Sequence, residues 1–321
     1  IVPTGVTTTW TGGMMSGTGT TQVASGGTLT VSGTVNKFLA RNLTNTGTVA
    51  LATGMTNFLL GVGGTVTLTN QAGGIVDLQG NVTITANSGT LSLVNEGLLT
   101  KSGNAGTTGT ISVAVTNSGT GTVEVQTGTL DFNGTVSNSG TMRVLAGATL
   151  PIDTAWTQQT GGTYTGVGLY TLPGTGTLTL NADLTAPTNF TLAGGTLTGS
   201  GAFIIPTGAT TTWTGGTMSV GTGTTQVASG GTLTVSGAGL KFLQRNLMNT
   251  GTVALATGMT NFSMGGFTGT WTLTNQVGGV VDLQGDVTIA ANTGTLSVVN
   301  EGLITKSGGA GTTGTINVAV T

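Results

Sequence analysis

The chain has 321 residues, 60 of them Gly; 36% are apolar, only 5% are charged and 4% aromatic, and the net charge is −2. Without a basic surplus there is no electrostatic footprint for nucleic acid, and no apolar run approaches the roughly 18 residues of a membrane span. The absence of Cys excludes a disulfide framework, and with no His there is no imidazole metal ligand and no Ser-His or Cys-His nucleophile.

From its start the chain is built of short Thr/Val/Leu/Ile runs broken by Gly, which read as strands and turns, while Glu, Lys, Gln and Arg are too scarce for a helical layer. Val2-Pro3-Thr4-Gly5 followed by Thr8-Thr9-Trp10-Thr11-Gly12-Gly13 recurs as Ile205-Pro206-Thr207-Gly208 and Thr211-Thr212-Trp213-Thr214-Gly215-Gly216. The match runs on to Thr321, the counterpart of Thr116, with the offset drifting from 203 to 205. Residues 1–204 are therefore a first long repeat unit and 205–321 a partial second copy, within one continuous fold over 1–321. The chain is expected to be a segment of a longer array.

A shorter period lies inside that unit. Asn45, Asn70, Asn95, Asn117 and Asn138 follow one another at steps of 25, 25, 22 and 21 residues, and Asn249, Asn275 and Asn300 repeat the pattern. Between these marks lie two or three strands of alternating pattern. Val82 and Ile84 are predicted to face inward and Thr83 and Thr85 outward, and Val123 and Val125 inward with Glu124 outward. A coil of 21–26 residues cannot bury its apolar stripe alone. Stacking coils about 4.8 Å apart, all strands parallel, closes the apolar column. The predicted fold is all-β, a right-handed parallel β-solenoid about 70 Å long. At each corner Asn is expected to bond to the next Asn, forming a ladder. The Gly two residues later is expected to supply a positive φ.

The stretches Asn117 to Val123, Asn138 to Met142 and Gly26-Gly27-Thr28-Leu29-Thr30-Val31-Ser32-Gly33 resemble the Gly/Thr-rich solenoid repeats of giant bacterial surface proteins, the autotransporter passengers and filamentous-haemagglutinin-like adhesins. That resemblance implies an extracellular, cell-surface or fibre location and frequent adhesive roles.

Candidate contact residues are few. Trp10, Trp156 and Trp213 recur in similar settings and could stack on a sugar if exposed, although packing is the plainer expectation; Trp271 stands where the first copy has Val66. Lys37 and Arg41, repeated as Lys241 and Arg245, are expected to form a small basic surface spot. Asp131 and Asp153 lie about one coil apart, but pairing Thr129 with Thr149 puts Pro151 opposite Asp131, so the two carboxylates are expected to be diagonal, solvated surface acids. The frequent Thr-x-Thr pairs raise the alternative of an ice-binding face. No cofactor or metal is expected, and no enzyme activity. The expected role is a structural stalk or fibre segment that associates end to end or side by side. Binding of a glycan or surface is the alternative.

Overall fold

The computed structural model describes residues 1–55, 57–219, 221–259, 261–266 and 269–321. Two compact units, 1–156 with 161–169 and 157–160 with 170–321, each consist of stacked parallel strands.

In the first unit one wall is an eight-stranded sheet. It runs Thr7–Trp10, Thr28–Val31, Thr48–Leu51, Ile75–Leu78, Leu98–Lys101, Thr122–Val125, Thr141–Val144 and Thr163–Gly166. Every neighbouring pair is parallel and separated by one coil of sequence. Two further files of strands complete each coil. One passes through Lys37–Leu39, Asn57–Leu60, Thr83–Ala86, Thr108–Ser112 and Thr129–Phe132. The other passes through Leu43–Asn45, Thr65–Asn70, Thr90–Asn95, Ala114–Asn117 and Val136–Asn138.

The core follows from this register. Leu29, Val49, Val76, Leu99, Val123, Met142 and Tyr164 stack as successive partners and are all buried. Each strand places alternate residues in this column, so a one-residue slip would turn the column outward. Val82, Ile84, Val123 and Val125 are buried as the alternation predicts.

The second unit repeats the design. Its seven-stranded parallel sheet runs Leu184–Thr185, Phe203–Ile205, Thr225–Val227, Leu247–Asn249, Thr270–Asn275, Thr295–Asn300 and Ala319–Val320. The junction between the two sequence copies, at 204/205, lies inside the strand Phe203–Ile205, which pairs in parallel on both sides. Trp271 is buried opposite Leu296, as Val66 is opposite Leu91, so the exchange between copies occurs at one inward position.

The corner glycines act differently from the sequence expectation. Gly47, Gly97 and Gly140 are not among the positive-φ residues. What they require is closeness: a Cβ would stand 2.3 Å from the Ala24 carbonyl oxygen at Gly47 and 2.1 Å from that of Ser118 at Gly140. After Asn117 an insertion transfers this duty from Gly119 to Gly121, where a Cβ would lie 2.2 Å from the Asn95 carbonyl oxygen. Glycine is demanded here by the carbonyls of the coil below, not by backbone conformation.

Candidate functional site

The eight predicted corner asparagines form two files of hydrogen bonds. Asn45 Nδ2 donates to Asn70 Oδ1 at 2.8 Å, Asn70 to Asn95 at 2.7 Å, Asn95 to Asn117 at 2.8 Å and Asn117 to Asn138 at 2.8 Å. In the second copy Asn249 donates to Asn275 at 2.8 Å and Asn275 to Asn300 at 2.7 Å. The same amides also donate to strand carbonyls, those of Ile75, Leu98, Thr122 and Val280 among them. The backbone N–H of Gly47 donates to Asn45 Oδ1 at 3.1 Å. An amide buried inside a corner is thereby satisfied on both ends, and aligned donors polarise one another along the file. Each file begins above a valine: Val23 is the partner of Asn45 and Val227 that of Asn249.

The basic spot is not on the surface. Lys37 and Lys241 are buried, because Leu39 and Leu243 two residues on face the core and period-2 alternation turns the lysines the same way. Lys37 Nζ donates to the Gly33 carbonyl, and Lys241 Nζ to those of Gly237 and Gly239, both at 2.6 Å. Burial pushes both amines below the ordinary lysine range. Arg245 is also buried, its Nη2 donating to the Gly201 and Thr224 carbonyls at 2.8 Å each, and burial lowers its pKa to about 10. It stays charged at neutral pH and ties together three successive coils. Arg41 is half-buried and donates to the Gly19 and Ser16 carbonyls. These cations are internal ties for glycine-rich loops.

A further lysine of this kind escaped the sequence reading. Lys101 occupies an inward position between Leu78 and Val125, and its ammonium donates to the Ser102 carbonyl at 2.7 Å and Thr107 Oγ1 at 2.9 Å. The inward place of Leu99 two residues earlier was the available signal. Lys241→Met keeps the apolar stem but leaves two carbonyls without their donor. It is expected to cost about 1–2 kcal/mol and to speed proteolysis in the 236–240 loop; unchanged melting and cleavage would show the ammonium to be idle.

The tryptophans are core residues. Trp10, Trp156 and Trp213 are 6%, 1% and 0% exposed, so none can stack on a sugar. Their rings meet Phe58, Phe132 and Phe262 edge to face at 5.7, 5.3 and 5.5 Å. The glycan contact considered for these three residues is excluded by their burial.

The outward face of the eight-stranded sheet does not form a regular threonine grid. In the eight-stranded sheet one outward file reads Thr7, Thr28, Thr48, Ile75, Leu98, Thr122, Thr141, Thr163. The neighbouring file passes through Ala50, Asp77, Glu124 and Arg143. Ile75 and Leu98 line a shallow groove of about 510 Å³ rimmed by Glu96, Glu124 and Arg143. Glu124 and Arg143, register partners, form an ion pair at 3.1 Å.

Asp131 and Asp153 stand diagonally on adjacent coils: Thr149 pairs with Thr129, Leu150 and Ile152 are buried, and the alternation turns Asp153 to the same outward face as Asp131. Burial first, then the charge and hydrogen bond of Asp153, push Asp131 up to about 6. Neither aspartate lines the groove. Among the described residues no group of three or more acids could hold a metal ion, and no helix is long and apolar enough to cross a membrane.

No family model matches the chain, and no curated protein is similar to it at a significant level. Among solved structures, the TibC-catalysed hyper-glycosylated fragment 55–350 of TibA aligns over 98% of this chain and 99% of its own, at 16% identity and a TM-score of 0.36. At that score the likeness carries no argument about role.

Proposed function

We propose that this chain is a non-catalytic structural segment, a stalk or fibre module of a long extracellular bacterial repeat protein whose repeat number sets its length. The observation that carries it is the placement of the copy junction inside Phe203–Ile205, a strand paired on both sides. Successive units then join through the same ladder of backbone bonds that builds each coil, with no linker to bend. The buried cations and tryptophans add coil-to-coil contacts inside the stack. Location at the cell surface and association between rods belong to the same proposal.

Electron microscopy of arrays of one, two and three units tests it. Each added unit is expected to lengthen a straight rod by ~45 Å, the rise of about nine coils, and the same images read whether rods join end to end or side by side. Beads on flexible tethers would overturn the reading. Adhesion is left without its aromatic contacts; specific binding to a glycan array by folded protein would restore it.

A further inference from the structure

Asn133-Gly134 is the one Asn-Gly pair in the sequence. It directly follows the strand Thr129–Phe132, and Asn133 is exposed, its N–H donating to the Ile111 carbonyl at 2.9 Å. Asn133 Nδ2 is held only loosely, donating to Ser112 Oγ at 3.4 Å. The Gly134 N–H has no acceptor among the described residues.

The corner asparagines are built the other way. Each of the eight is followed by a residue that carries a side chain, and the N–H of that residue donates to a carbonyl of the coil below at 2.7–2.9 Å. Their side-chain amides are tied into files at 2.7–2.8 Å. An asparagine amide is lost when the following backbone nitrogen attacks it. That attack needs a nitrogen free of hydrogen bonds and a following residue without a Cβ to obstruct ring closure. Asn133 meets both conditions and a corner asparagine meets neither.

We propose that Asn133-Gly134 is a self-modification site at which the folded chain ages. The Gly134 nitrogen bonds to Asn133 Cγ, the Cγ–Nδ2 bond breaks, and ammonia leaves with the proton from the Gly134 N–H. Water then opens the cyclic imide. Attack at Cγ leaves an aspartate; attack at the Asn133 backbone carbonyl carbon leaves an isoaspartate, whose main chain runs through Cγ and is one methylene longer. The packing around Gly134 has no room for that methylene. A Cβ on Gly134 would already stand 2.1 Å from the Val113 carbonyl oxygen of the coil below. From the coil above, Thr154 Oγ1 donates to the Phe132 and Gly134 carbonyls at 3.1 and 2.9 Å. Either product also adds a negative charge two residues from Asp131, and the one cation between residues 102 and 182, Arg143, is paired with Glu124. Modification therefore loosens this coil from both neighbours.

Peptide mass mapping of folded protein aged in mildly alkaline buffer tests this, with isoaspartate detected by enzymatic methylation. A gain of about 1 Da is expected at Asn133, more than about tenfold faster than at any corner asparagine, because a corner must first open locally. The aged fraction is expected to melt roughly 2–5 °C lower than fresh protein and to be cut sooner by protease beside residue 133. Asn133→Gln, whose larger ring closes more slowly, should age without either change. Asn133→Asp carries the charge without the longer backbone and should melt between fresh and aged protein. Three results would overturn the proposal: Asn133 intact in the folded chain while it reacts in the urea-unfolded chain, a mass gain spread evenly over the corners, or aged protein that melts with fresh protein.

Discussion

Asn95→Ala is expected to destabilise the fold by about 3–5 kcal/mol, far more than the removal of one surface amide. The Asn95 side chain is fully buried and accepts from Asn70 while donating to Asn117 Oδ1 at 2.8 Å and to the Gly97 and Thr122 carbonyls at 3.2 and 3.1 Å. Ala removes the middle of the file and leaves several buried groups short of a partner, each costing about 1–3 kcal/mol. Water cannot readily replace the amide, because carbonyls of successive coils already crowd the corner around Gly97 and Gly121. Chemical denaturation measures the loss, with Asn104→Ala as an exposed control expected to stay within about 0.5 kcal/mol. Hydrogen exchange should quicken first at the corners on either side of residue 95. A cost under about 1 kcal/mol would mean that strand pairing alone specifies the corners.

Trp213→Ala is expected to cost about 3–5 kcal/mol, the range for removing a large aromatic from a packed core. Trp213 is completely buried, stacked between Leu192 and Val235 in register and edge-on to Phe262. Its indole N–H is shielded and has no acceptor among the described residues. Trp213→Phe deletes that unsatisfied donor and keeps most of the ring, so its cost should stay below about 1.5 kcal/mol. The contrast between the two variants distinguishes a core role from a surface one. If Ala left stability unchanged while abolishing binding to a sugar, the ring would have to be exposed and the adhesive reading would return.

The two classes of cation show where reading residues one at a time falls short. A Lys in a Gly/Ser/Thr-rich stretch looks solvated, and Lys37 and Lys241 were expected on the surface for that reason. Their inward direction is set by parity with Leu39 and Leu243, information the sequence carries but which counts only once strand register is known. Arg245 makes the same point, since its guanidinium reaches the Gly201 carbonyl across the junction of the two sequence copies.

By itself the sequence determined the all-β class, the parallel stacking, the inward and outward alternation and the asparagine files. These follow from period and composition, which act on every coil alike, so that many weak local preferences agree. Only the tertiary structure decided why the corner glycines are glycines, which way the lysines point and that the tryptophans are buried. Each depends on where one coil sits over its neighbour, a distance of a few ångströms between residues about twenty positions apart.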